Sequence, residues 1–135
     1  MSDLIERMSF TAEIRAVDEE LSPGYPKHQV YCVFSIDDFE IANFHFDLTY
    51  STLSRLKSYL NSIGSEVLFC ANILGGMFEI EHSKRDLYAN FYQYFCDKKV
   101  SCSSCLNIPI KKFKPELMRI CDEGSKLDLS YEPEE

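Results

Sequence analysis

The fold is decided by residues 66–94, EVLFCANILGGMFEIEHSKRDLYANFYQY. Three runs in this stretch can be phased with a period of two residues, and Gly75 and Gly76 separate the first two runs. A period of two residues is typical of half-buried strands, and glycines reach the positive φ values that a two-residue hairpin turn needs. The stretch therefore predicts a hairpin, a polar turn at residues 83–86 and a third antiparallel strand.

The phase of the three runs separates two faces. The predicted core face is formed by Val67, Phe69, Ala71, Ile73, Phe78, Ile80, Leu87, Ala89 and Phe91. The opposite face carries Tyr88, Tyr92 and Tyr94, beside Glu79 and Glu81 of the neighbouring strand. Tyrosine rings give rigid contact area and keep a polar hydroxyl, so this face either contacts a partner or packs under a loop or helix of the chain.

Two further strands precede this stretch. Ser9–Val17 and Gln29–Asp37 both alternate, and a Pro- and Gly-containing loop, DEELSPGYPKH, separates them. The run FEIANFHF, residues 39–46, changes phase, because its first two apolar residues alternate out of step with Phe44 and Phe46. Either a bulge near Ala42 and Asn43 restores the phase, or residues 29–46 form one long bent strand.

Two helices and an edge strand complete the pattern. Leucines recur at helical spacing in Thr49–Ile63, and Gly64 follows that segment. Leu106–Ile110 reads as a short edge strand because it contains Pro109, and Lys114–Glu123 reads as a helix with Pro115 in its first turn. The sequence thus predicts an α+β fold with a single antiparallel sheet of about five to seven strands and two helices packed on one side.

Length and composition favour one cytoplasmic domain. The 135 residues are 45% hydrophobic, which suffices for one core over 1–135, with flexible tails at 1–7 and 125–135. The N-terminus MSDLIERMSF lacks the apolar core of a signal peptide, and no apolar run reaches the ~20 residues that span a bilayer. The net charge of −8 argues against nucleic acid and anionic membranes as partners and favours a basic protein. Nothing in the sequence indicates the oligomeric state.

No residue pattern predicts catalysis or a cofactor. The three histidines are isolated, and the sequence has no nucleophile elbow or phosphate-binding loop. We therefore expect a protein that is not an enzyme. Cys102 and Cys105 form C-x-x-C near Cys96, so the alternative is a zinc-stabilised domain, although a fourth ligand is missing from the pattern. The favoured prediction has no cofactor and no metal.

Paired acidic residues mark a candidate binding surface. Glu79 and Glu81 share one face of a strand, and Asp37 and Asp38 form an acidic turn. Carboxylates beside exposed tyrosines suit the arginines and lysines of a basic protein. The predicted partner-binding residues are Tyr88, Tyr92, Tyr94, Glu79, Glu81, Asp37 and Asp38.

The order of these segments resembles a known group of proteins. FEIANFHF, LSRLKSYL, VLFCANILGGMFEIEH, LYANFYQY and IPIKKFKPELMRICDEG follow one another as in small bacterial immunity proteins of polymorphic-toxin and contact-dependent inhibition systems. The resemblance covers most of residues 8–124 and is one of architecture. It implies a cytosolic, non-catalytic inhibitor that binds and neutralises a cognate toxin domain. No site residues are inferred from the resemblance, because the contact positions of such families diverge.

Overall fold

A computed structural model describes residues 2–17, 26–61, 68–73, 76–82, 88–95 and 102–129, and the side chains of these residues except 2–3, 82, 94–95 and 102–105. Three helices and seven strands lie in these ranges. In chain order they are α1 (Ser2–Arg7), β1 (Met8–Ala16), β2 (His28–Ile36), β3 (Phe39–Leu48), α2 (Tyr50–Asn61), β4 (Leu68–Ile73), β5 (Gly76–His82), β6 (Tyr88–Phe95), β7 (Cys102–Pro109) and α3 (Ile110–Gly124).

The strands form two antiparallel sheets, in the orders β1-β2-β3 and β4-β5-β6-β7. The α+β class with antiparallel pairing is confirmed, but the prediction of a single sheet of about five to seven strands is wrong, and the described residues form three helices instead of the two predicted. Between β3 and β4 the chain forms α2, and no backbone pairing joins these two strands. Alternation identifies the buried face of each strand, whereas the element that covers that face is set by tertiary packing.

Aromatic rings from both sheets share one core. Phe44 and Phe46 of the three-stranded sheet pack against Phe78 of the four-stranded sheet, with ring centroids 6.0 and 4.9 Å apart. Phe69 also meets Phe46, at 5.6 Å. All these rings are buried. Each sheet therefore covers the apolar face of the other, as in a sandwich.

Residues 29–46 form a hairpin of two strands, so the alternative of one long bent strand is wrong. The pairing of Phe34 with Ala42 is followed by the pairing of Ser35 with Glu40, which leaves Ile41 as an extra residue. This irregularity is the bulge that the change of phase predicted, one residue from the predicted place. An extra residue reverses the alternation, which returns Phe44 and Phe46 to the core face.

Helix α2 confirms the helix that was predicted from the spacing of the leucines. Thr49 caps its first turn by accepting a hydrogen bond from the N–H of Thr52 at 3.2 Å. Leu53, Leu56 and Leu60 are buried, as the spacing predicted.

Helix α3 begins at Ile110, earlier than predicted, so Pro115 lies inside the helix rather than in its first turn. Pro115 cannot donate the hydrogen bond that the helix interior normally uses. The earlier turn is stabilised by Phe113, whose buried ring lies 5.0 Å from that of Phe91. The helix ends at Gly124, as predicted, and a Cβ there would lie 3.2 Å from a methyl carbon of Leu53, so glycine permits α2 and α3 to approach closely.

The edge strand β1 is covered by α3. Glu116 accepts a hydrogen bond from the N–H of Ala12 at 3.3 Å, and Arg119 donates to the carbonyl oxygen of Ala12. Glu116 and Arg119 also form an ion pair at 3.0 Å. Because the outward backbone groups of Ala12 are occupied by side chains, this part of the edge is closed to another strand.

Candidate functional site

The predicted surface on the four-stranded sheet is built from cross-strand rows. We call its members Glu79, Glu81, Tyr88 and Tyr92 the tyrosine–carboxylate face. Glu79 of β5 lies directly opposite Tyr92 of β6, and Glu81 lies opposite Asn90. Directly opposed side chains have Cβ atoms about 4.5–5.5 Å apart, so the carboxylate and the ring of the first pair are neighbours.

The exposure of these side chains follows the strand alternation. Ala89 and Phe91 are fully buried, whereas Tyr88, Asn90 and Tyr92 between them are partly exposed. Glu79 is also partly exposed, and Glu81 is exposed. The two tyrosines are therefore partly exposed residues beside two carboxylates.

Cys70 continues the Glu79 row on strand β4. It lies opposite Glu79, and Arg55 of α2 donates a hydrogen bond to its carbonyl oxygen at 2.9 Å. Burial, and secondly the charge of Glu79, raise the pKa of the Cys70 thiol, while Arg55 acts in the opposite direction. A thiol with a raised pKa is a poor nucleophile, so Cys70 is held in its neutral form.

Several predicted residues lie outside the described side chains. Tyr94 is placed in β6 by its backbone, opposite Cys102 of β7, but its side chain is not among those described. The same holds for the side chains of Cys102 and Cys105, and Cys96 lies wholly outside the described residues. Among the side chains that are described, no group of three or more His, Cys, Asp or Glu could hold a metal ion. The zinc alternative therefore stays untested.

The acidic turn lies on the other sheet. Asp37 and Asp38 connect β2 to β3, and both have positive φ, 51° and 68°. Arg7 forms an ion pair with the Asp37 carboxylate, which holds the pKa of that carboxyl below its usual value. Asp38 is exposed. The six predicted residues with described side chains thus belong to two surfaces, the turn and the tyrosine–carboxylate face.

Two exposed apolar residues beside the turn were missed by the sequence analysis. Phe39 is 75% exposed and Ile41 is 50% exposed. The signal that could have found them is the change of phase in FEIANFHF, which was used only to predict the bulge. Apolar residues that alternate out of step with a buried run point away from the core or beyond its end.

A second polar and aromatic cluster, also missed, covers the outer face of the three-stranded sheet. The Arg15 guanidinium lies 4.3 Å from the centroid of the Tyr31 ring, and His45 stacks on that ring at 5.5 Å. The Tyr31 hydroxyl donates to Gln29, and Gln29 donates to Asp47. These contacts involve residues on all three strands, so the cluster stabilises strand pairing.

The half-buried ring of His45 should make stability depend on pH. Burial lowers the pKa of His45, and Asp47 partly opposes that change. Between its ordinary pKa near 6.5 and the lower folded value, the unfolded chain binds more protons, so stability should decrease as the pH falls through this window and be retained above it. The free energy of unfolding should change with pH by well under ~1.4 kcal/mol per pH unit, the value for uptake of one full proton, because the His45 ring is partly solvated.

Urea unfolding at a series of pH values from 7.5 to 5 would measure this slope. The control is His45→Phe, which keeps a flat ring against Tyr31 but cannot titrate. We expect the slope of the wild-type protein between pH 6.5 and 5 to exceed that of the variant. Identical slopes would show that His45 is equally protonated in both states.

None of the described helices is long and apolar enough to cross a membrane. No protein-family model, curated protein or solved structure matches the chain.

Proposed function

We propose that the protein is a non-catalytic binding module of the immunity type, which inhibits a basic toxin domain in the cytoplasm by contact through the tyrosine–carboxylate face. The observation that carries the proposal is the direct opposition of Glu79 and Tyr92 on a sheet face whose tyrosines remain partly exposed. Tyrosine is enriched at the centres of protein interfaces, and a carboxylate beside it can pair with an arginine that also stacks on the ring.

Charge supports a basic partner. The chain carries 22 acidic and 14 basic residues, and Glu81 adds a second carboxylate two residues from Glu79 on the same side of β5. Complementary charge accelerates association and disfavours acidic competitors. The association rate with the partner should therefore fall as the salt concentration rises.

The test is a double change, Tyr92→Ala with Glu79→Lys. Loss of an interface tyrosine and reversal of an adjacent charge should weaken binding at least about tenfold. The partner would be recovered by pull-down from the source cells, identified by mass spectrometry, produced separately and titrated by calorimetry. If the gene next to that of this protein encodes a toxin domain, its catalytically inactivated product is the first partner to titrate.

The fold offers a closely matched control on the other sheet. Glu13 lies directly opposite Tyr31, so Tyr31→Ala with Glu13→Lys makes the same chemical changes in the same cross-strand geometry. We expect the control to bind like the wild-type protein. If both double variants bind the partner equally weakly, the cause is a general charge effect. If the Tyr92 and Glu79 double variant keeps the wild-type affinity and melting temperature, the tyrosine–carboxylate face is not the binding surface.

A further inference from the structure

An apolar row ends the three-stranded sheet. Met8 of β1 pairs with Ile36 of β2, and Ile36 pairs with Phe39 of β3. Met8 and Ile36 are partly buried against the core, whereas Phe39 is 75% exposed. We call Met8, Ile36 and Phe39 the terminal row. The apolar side of the sheet therefore continues beyond the part that the core covers.

The hairpin that carries Phe39 is held in one conformation. Both residues of its turn, Asp37 and Asp38, adopt positive φ, which costs energy for residues other than glycine. The N–H of Asp37 donates to the carbonyl oxygen of Arg7 at 3.1 Å, and the Arg7 side chain pairs with the Asp37 carboxylate. These contacts fix the turn against the start of β1, so Phe39 is presented on a preorganised support.

An acidic side chain adjoins the exposed apolar residues. Asp38 is exposed next to Phe39, and Ile41, the extra residue of the bulge, is half exposed. Glu40 belongs to the opposite face of β3, where it accepts a hydrogen bond from the side chain of Asn43 at 2.9 Å. Isolated exposed apolar residues are ordinary, but Phe39 lies opposite Ile36 in the strand pairing and two residues from Ile41, so several apolar residues are gathered at one end of the sheet.

We infer that the terminal row, together with Ile41, docks into an apolar cleft of a protein partner whose rim carries lysine or arginine. Burying a phenylalanine in such a cleft supplies an apolar anchor, and a basic group on the rim would pair with Asp38. A second copy of this chain fits poorly, because a symmetric contact at the turn would bring carboxylates of like charge together. The inference rests on the proposed function for the basic character of the partner.

Site-specific photocrosslinking tests the inference. The full chain would carry a benzophenone amino acid at position 39 in source cells, and a second version would carry it at the exposed position Ser51 of α2. We expect a partner to be crosslinked from position 39 and not from position 51. That partner, identified by mass spectrometry and purified, is the titrant for the variants. A crosslink from position 39 to a second copy of this chain, or no crosslink from that position, would overturn the inference.

Three variants then separate the possible outcomes. Phe39→Ala should raise the Kd at least about tenfold, and Asp38→Asn, which removes one charge and tolerates positive φ, should raise the Kd by a smaller factor and weaken its salt dependence. Met118→Ala, which removes another exposed apolar side chain on α3, should leave the Kd unchanged. All three should melt within a few degrees of the wild-type protein, because the replaced side chains are exposed.

The two proposals fail in different ways. Weaker binding in Phe39→Ala with wild-type affinity in the Tyr92 and Glu79 double variant would retain the terminal row and remove the tyrosine–carboxylate face. The reverse pattern would remove the terminal row as a docking surface and retain the tyrosine–carboxylate face. Wild-type affinity in both variants would remove both surfaces.

Discussion

Replacing Phe91 by alanine is expected to lower the free energy of unfolding by about 3–5 kcal/mol, the usual cost of removing a buried phenylalanine. Phe91 is fully buried and its ring contacts others from three parts of the fold. The centroids lie 5.5 Å from Phe10 and 5.4 Å from Phe44 of the three-stranded sheet, 5.9 Å from Phe78 and 5.0 Å from Phe113 of α3. The cavity would therefore open at the junction of both sheets and a helix.

Urea unfolding of the variant and of the wild-type protein would measure this loss. Phe39→Ala is the matched control, because it deletes the same atoms at a 75% exposed position and should change stability by no more than about 0.5 kcal/mol. A similar small cost for both variants would mean that the two sheets do not share the core described above.

The strands could be predicted from sequence because their alternation is regular. In β4, β5 and β6, Phe69, Phe78 and Phe91 are buried at the predicted phase. Alternation is a local property, fixed by the pleat of each strand. The division into two sheets could not be predicted in this way, because it depends on which apolar faces meet, and Phe46 could have packed on a helix as well as on Phe78.

The candidate site was predictable to the same extent. The shared face of Glu79 and Glu81 follows from residue spacing within β5, whereas the opposition of Glu79 and Tyr92 depends on the register between β5 and β6. The register between two strands is a tertiary property that residue spacing within one strand does not specify. The exposure of Phe39 was not predicted, since the change of phase in residues 39–46 was used only to place a bulge.

Gln93 shows the same limit in a polar residue. It follows Ala89 and Phe91 on the core face of β6, where alternation alone would favour an apolar residue, and it is only 6% exposed. Its side-chain oxygen accepts a hydrogen bond from the backbone N–H of His45 in β3 at 2.7 Å. Because β3 is the edge of its sheet, this contact satisfies a backbone donor there and links the two sheets.

Replacing Gln93 by leucine should therefore destabilise the protein by about 1–3 kcal/mol, the cost of leaving a buried donor without an acceptor. Leucine is close in size to glutamine, so a cavity contributes little and the loss of the acceptor dominates. The amide of His45 should also exchange its hydrogen faster, and exchange measured residue by residue by NMR would detect this change.

Asn90→Leu is the control, since it makes a similar change on the partly exposed face of the same strand and should alter stability by less than about 0.5 kcal/mol. Unchanged protection of the His45 amide in the Gln93 variant would contradict the prediction, because this donor would then have found another acceptor. Loss of protection at His45 alone would identify Gln93 as a local link, whereas loss along all of β3 would show that this hydrogen bond holds the edge strand of one sheet against the other.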